Sequence, residues 1–196
     1  MKLLLLRHGF TDWNAEKRIQ GRIDRPLSEV GISQIKSRRL PETVQQLTWY
    51  CSPMLRARQT AELMGIQAPI IEPALIEMDW GDWEGKILKP LRKQLGDVMR
   101  DNEARGCDFR PPNGESPRQV QARLEPWLKK IGSHGEDCCA LVHKGIIRCL
   151  YAMAFDWDMR GESPVDFDWT QLHELELDAE GKPRKHYHGF ELINKS

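Results

Sequence analysis

Four consecutive leucines, Leu3 to Leu6, run directly into Arg7-His8-Gly9, and this junction constrains the fold more than any other stretch of the chain. An apolar run this short, closed by a glycine, suits a strand buried on both faces, as in the middle of a parallel sheet. Helices must then cover both faces. Ser28 can cap one reaching about Arg39, and Thr48 to Cys51 reads as a second strand. Ser52-Pro53 ahead of Leu55, Ala57, Ala61 and Leu63, with Gly65 beyond, carries the start and stop signals of a helix. Pro69 to Ile71 is expected as a short third strand, and residues 90 to 106 as a polar helix ending at Gly106. Ser116-Pro117 opens a helix to about Ile131, which Pro126 should kink or split. Cys138 to His143 is a further strand, followed by a helix to about Phe155. Gln171 to Leu177 and Lys185 to Leu192 flank the turn Asp178-Ala179-Glu180-Gly181 as a hairpin. Alternating strands and helices predict a three-layer α/β/α fold with a mostly parallel central sheet and a C-terminal edge hairpin. The chain has 196 residues and no repeat or linker, so residues 1–196 are expected to form a single domain.

Charge narrows the partners. Lys plus Arg and Asp plus Glu both number 29, so the chain lacks the overall positive field that nucleic-acid binding draws upon, and any anion site must be local. Five cysteines without a framework spacing read as reduced thiols. The apolar run at the start is too short for a secretion signal, and no stretch approaches the length required to span a bilayer. The expectation is a cytoplasmic protein with neither nucleic acid nor membrane as partner.

In an open parallel sheet, ligands bind beyond the carboxyl ends of the strands. Four segments fall there: Arg7-His8-Gly9, Arg56, the loop from Glu77 to Gly85, and His143-Lys144-Gly145. They offer two imidazoles, two guanidiniums and a carboxylate, an inventory suited to phosphoryl transfer through a phosphohistidine. Neutral imidazole attacks phosphorus without a separate base. Arginine forks match the equatorial oxygens of a transferring phosphoryl group, and with a second histidine they can replace a magnesium ion. A carboxylic acid can protonate the leaving alkoxide and then take a proton from water. No metal and no cofactor is therefore expected. Taken singly, these residues have plainer readings. Arg7-His8-Gly9 and His143 could each be ordinary surface or packing features, Arg56 could pair with Glu62, and Asn14 could form a turn. Glu77 competes with Asp79, Asp82 and Glu84. The tryptophans at 80, 83, 157 and 169 read as packing, and His186 and His188 as part of a solvated edge strand.

In combination, however, the segments resemble the histidine phosphatase superfamily, the branch of cofactor-dependent phosphoglycerate mutases and many small phosphatases. The resemblance runs through Arg7-His8-Gly9 with Thr11, Trp13 and Asn14, then Gln20-Gly21, Asp24, Pro26-Leu27, Gly31 and Gln34. It continues through Ser52-Pro53, Arg56-Ala57, Gln59-Thr60-Ala61-Glu62, and Glu77 with Gly81, Trp83, Glu84 and Gly85. Pro112-Asn113-Gly114-Glu115-Ser116 and Val142-His143-Lys144-Gly145-Ile146-Ile147-Arg148 complete it. The resemblance implies that His8 is phosphorylated and that Arg7 and Arg56 clamp the phosphoryl group. His143 would stabilise its charge, and Glu77 would donate and accept the proton. Asn14, Gln20, Gly21 and the backbone amide of Lys144 would line the substrate side. Lys144 departs from the pattern, which commonly has glycine there. Met78 stands where mutases carry arginine, and the insertion at about 86–110, expected to cover the substrate, is short. Water is thereby favoured as acceptor, giving a phosphatase acting on a small-molecule phosphate ester. A mutase and a catalytically inactive module binding a phosphorylated ligand are the alternatives.

Overall fold

The computed structural model describes residues 1–195. In chain order the first half forms β1 (Lys2–Arg7), α1 (Asp12–Ala15), α2 (Glu29–Lys36), β2 (Arg38–Arg39), α3 (Glu42–Gln45), β3 (Thr48–Cys51), α4 (Leu55–Leu63) and β4 (Ile70–Ile71). The second half forms α5 (Leu88–Leu95), α6 (Asp97–Glu103), α7 (Pro117–His134), β5 (Cys138–Val142), α8 (Lys144–Ala154), β6 (Leu172–Leu177), β7 (Pro183–Phe190) and β8 (Ile193–Asn194). Six strands make one sheet in the order β4-β3-β5-β1-β6-β7. β4, β3, β5 and β1 run parallel, while β6 is antiparallel to β1 and β7 to β6, so the hairpin closes one edge as expected.

The leucine run is buried on both faces. Leu3 and Leu5 pack with Leu124 and Leu128 of α7 and Ile147 and Leu150 of α8. Leu4 and Leu6 point the other way, against Val44 of α3 and Ala57 and Ala61 of α4. Removing each of these leucines from water contributes on the order of 2 kcal/mol. Alternation along one strand thus joins the two helical layers, and it ends β1 at Arg7 and His8 on the rim of the sheet.

Element boundaries differ from the sequence reading at points where distant segments intervene. α2 stops at Lys36 because Arg38 and Arg39 pair with Asn194 and Ile193, a contact without local periodicity. α4 begins at Leu55, and Ser52 is no helix cap; its hydroxyl lies 2.7 Å from Nε2 of His143. The polar helix expected over residues 90 to 106 is instead two helices, α5 and α6, broken at Gly96, whose φ of 52° favours glycine, and the second ends at Glu103. Pro126 does not split α7, which runs 18 residues from a capping box formed by Ser116 and Gln119. The proline is exposed, so the carbonyl deprived of its partner faces water.

α2 also shapes the turn after β1. Its cap, Ser28, accepts from the Gly31 amide and donates to the Phe10 carbonyl. A Cβ on Gly31 would lie 2.1 Å from that carbonyl oxygen, so only glycine lets the helix press this closely on the backbone two residues beyond His8.

Candidate functional site

His8, Arg56, Glu77 and His143 come together at the carboxyl end of β1 and β5, where the sequence placed them. His8 is 7% exposed and His143 fully buried, their ring centroids 5.0 Å apart. Nδ1 of His8 lies 2.7 Å from the Gly9 carbonyl oxygen. That oxygen accepts only, so the proton sits on Nδ1 and Nε2 keeps its lone pair. The turn is braced by Thr60, whose Oγ1 accepts from the Gly9 amide at 2.9 Å and donates to the Arg56 carbonyl at 2.7 Å. Burial lowers the pKa of His8 well below the ordinary imidazole value, and the charges of Arg56 and Arg7 lower it further.

Arg56, in the first turn of α4, is completely buried. It donates through Nε to Nδ1 of His143 at 3.3 Å and through Nη2 to the Gly21 carbonyl at 2.8 Å, and Nη1 lies 3.6 Å from Asp24. Since Nδ1 of His143 accepts from Arg56, its proton is on Nε2, which donates to Ser52. Burial, with Arg56, keeps His143 neutral as well, its pKa well below the ordinary value.

Glu77 is 5% exposed, and its carboxylate accepts from the amides of Met78 at 2.8 Å and Gly145 at 3.1 Å. Burial raises its pKa above the ordinary carboxyl value despite those two donors, so desolvation outweighs the hydrogen bonds. A Cβ on Gly145 would stand 2.3 Å from Oε1 of Glu77, so glycine is required there for the carboxylate to reach the start of α8. The backbone before the carboxylate is held by Arg123, which donates to the carbonyls of Ala74, Ile76 and Glu77 and forms a two-pronged pair with Glu115.

The remaining expected residues ring this centre. Asn14 closes the capping box of α1, its Oδ1 accepting from the Thr11 amide at 3.0 Å, which leaves its NH2 group free. Gln20 accepts from the Thr11 hydroxyl at 3.0 Å, and among the described residues its buried Nε2 has no partner. Gly21 is buried, and a Cβ there would meet Glu84 at 2.2 Å. Nε of Arg7 is likewise buried without a partner. Lys144 opens α8, so its N–H is among the amides that a helix leaves without an internal bond. Ser52, Thr60 and Arg123 complete the site without having been assigned a catalytic place from sequence. Ser52 and Thr60 lay within matched motifs; Arg123 carried no signal. The edge-strand reading of His188 holds, while His186 meets Glu174 at 2.8 Å beside Glu176, a cluster capped by Lys2 at 3.1 Å from Glu174.

Neutral imidazoles, two guanidiniums, a protonatable carboxyl and unpaired N–H donors make a pocket chemically suited to a small anion. The family model of the histidine phosphatase superfamily, branch 1, matches residues 3–188. The chain is similar to phosphoglycerate mutase-like protein 4 of Arabidopsis thaliana, 30% identical over 162 residues covering 78% of this chain and 70% of that protein. It is 38% identical to the uncharacterized phosphatase PhoE of Bacillus subtilis over 133 residues, 65% of this chain and 62% of that one. The alignment thus takes in less than two thirds of the latter. Among solved structures, YhfR of Bacillus stearothermophilus superposes with a TM-score of 0.75 at 28% identity, covering 100% of this chain and 98% of that one. This chain belongs to the histidine phosphatase superfamily, branch 1, and is an enzyme of the histidine phosphatase type. Among the described residues no helix is long and apolar enough to cross a membrane.

Proposed function

We propose that the protein hydrolyses a small-molecule phosphate monoester through a phosphohistidine at His8, without a metal. The observation that carries this reading is the state of His8: a neutral ring with Nδ1–H fixed on Gly9, its other nitrogen bearing a free lone pair beside the buried Arg56 and the half-buried Arg7. Nε2 attacks phosphorus, the bond to the leaving oxygen breaks, and Glu77 gives its proton to that oxygen. Water then attacks the phosphohistidine while the Glu77 carboxylate takes its proton, and the Nε2–phosphorus bond breaks to regenerate both groups. Arg7, Gln20 and Asn14 supply unpaired N–H donors for the phosphoryl oxygens, together with the Lys144 amide and the remaining N–H groups of Arg56. His143 fixes Arg56 in the resting protein; its own approach to a phosphoryl oxygen requires one of its two bonds to open. Gly21 leaves room for the backbone to approach the substrate, and the segment 86–110 covers it. Free thiols at Cys51, Cys107, Cys138, Cys139 and Cys149, all buried, support a reducing, cytoplasmic setting.

Denaturant quenching during turnover should trap a phosphoryl group that is stable in base and labile in acid, located on His8, and turnover should continue in excess chelator. An absolute requirement for a divalent cation, or an adduct on another residue, would overturn the reading. Production of an isomeric phosphoglycerate in place of free phosphate would identify a mutase instead. Gly145→Ala tests Glu77 through its geometry. The added methyl displaces the carboxyl, and kcat for an alkyl ester is expected to fall about a hundredfold, the scale of a general acid. A nitrophenyl ester, whose leaving group needs no proton, should lose far less. Equal losses on both esters would count against Glu77 as the proton donor.

A further inference from the structure

The wall of the site formed by α8 and the segment before β6 carries cations that the fold does not neutralise. Lys144 stands at the first position of α8 and Arg148 one turn later on the same side. Positive charge at a helix N-terminus opposes the helix dipole, and like charges four residues apart repel. Carboxylates nearby would offset this, yet among the described residues neither Lys144, Arg148 nor Arg7 enters an ion pair. Each rests on an indole face instead. Nζ of Lys144 is 4.9 Å and Cζ of Arg7 5.7 Å from the centre of the Trp169 ring, and Cζ of Arg148 is 5.0 Å from that of Trp157. An aromatic face holds a cation in place without cancelling its charge. Burial, then the neighbouring Arg7 and Arg148, lower the Lys144 pKa, and Glu77 opposes them. Trp169 is itself fixed by its neighbours, stacked on Phe167 at 4.9 Å and edge-on to His173 at 5.8 Å.

We propose that Lys144, steadied on the Trp169 ring, binds a second anionic group of the substrate, a carboxylate or a second phosphate borne close to the scissile phosphate. The inference rests on the phosphomonoester reading above and deepens it. It places a specificity-determining contact on the α8 and Trp169 side, in addition to the segment 86–110. Arg7 then serves both groups from the seam between them, since it shares the indole with Lys144.

Binding separates this idea from catalysis. Three non-hydrolysable phosphonates are titrated calorimetrically into the full chain at one fixed ionic strength: methylphosphonate, phosphonoacetate and methylenebisphosphonate. At least one of the doubly anionic compounds should bind about tenfold or more tightly than methylphosphonate, the scale of a hydrogen bond to a charged group. The preferred one identifies the second group as carboxylate or phosphate. Lys144→Met, which keeps an unbranched stem against Trp169, should erase the preference, and Lys144→Arg should retain most of it. Equal affinities in the native protein, no binding of any phosphonate, or a preference that survives Lys144→Met would overturn the proposal. Should the methionine variant fail to fold, the native selectivity and the arginine variant still decide. Turnover of phosphoglycolate is measured in parallel: selective binding without hydrolysis would defeat the phosphatase reading and leave the second anion contact standing.

Discussion

Alanine at position 8 is expected to lower kcat by about ten-thousand-fold or more while leaving the fold intact, because the residue would then lack the atom that bonds to phosphorus. The separation of the two effects follows from how His8 is held. Among the described residues its one side-chain hydrogen bond is to the adjacent Gly9 carbonyl, and the Gly9 amide is fixed independently by Thr60. Truncation therefore removes the nucleophile without releasing a long-range tie. Arg56 offers the contrast. Its guanidinium is fully buried and bridges α4 to the Gly21 carbonyl and to His143, so Arg56→Ala should damage stability and activity together. Initial rates on a phenyl ester and thermal unfolding by circular dichroism measure both quantities. A His8→Ala protein that retained a hundredth of native turnover would show that the nucleophile lies elsewhere.

The parts of this site legible in the sequence are those whose chemistry sits within a few residues of a strand end. Arg7-His8-Gly9 and His143-Lys144-Gly145 follow apolar strands directly, so fold and site could be read from the same stretch. Glu77 could not be chosen from residue type among Asp79, Asp82 and Glu84; resemblance alone singled it out. The structure explains the difference physically. Glu77 is buried, whereas Asp79 is bound to the Gly81 amide and Arg22, Asp82 to Asn113, and Glu84 to the amides of Arg22 and Ile23. What stayed hidden acts across long separations. Ser52 meets a residue 91 positions away, Thr60 one 51 positions away, and Arg123 reaches back 46 positions to the Glu77 carbonyl. Ser52 illustrates the loss of information most clearly. A serine followed by proline is a strong cap signal, but its hydroxyl is drawn to His143, and the helix starts three residues later. The β2–β8 pair was missed for the same reason, since two-residue strands have no periodicity to read.

Acidification from pH 6 to pH 5 is expected to reduce unfolding stability by about 3 kcal/mol, because the unfolded chain then binds roughly two to three more protons than the native one. Burial lowers the pKa of three histidines: His8 and His143 well below the ordinary value of 6.5, and His173 to about 4. A native pKa below the unfolded one means that the unfolded chain takes up protons first, so stability falls as pH drops beneath 6.5. Glu77 works in the opposite sense. Its native pKa is raised above 4.5, so the native protein holds a proton that the unfolded chain releases, and this offsets part of the histidine effect. Asp108, Asp168 and Asp178 have lowered values and act near and below 3.8, beneath this window. Against a typical stability of roughly 5–15 kcal/mol, the decline is large enough to follow by urea unfolding at several pH values. His173→Phe assigns the cause. His173 is fully buried with both ring nitrogens unpartnered among the described residues, and it packs on Phe167, Trp169 and Tyr187 at 5.4, 5.8 and 6.1 Å between ring centres. Phenylalanine suits that surrounding and cannot titrate, so the variant should be more stable at pH 6 and lose roughly a third to a half of the pH dependence, the share of one histidine. An unchanged slope would mean that His173 is protonated in the native protein, in contradiction to its burial.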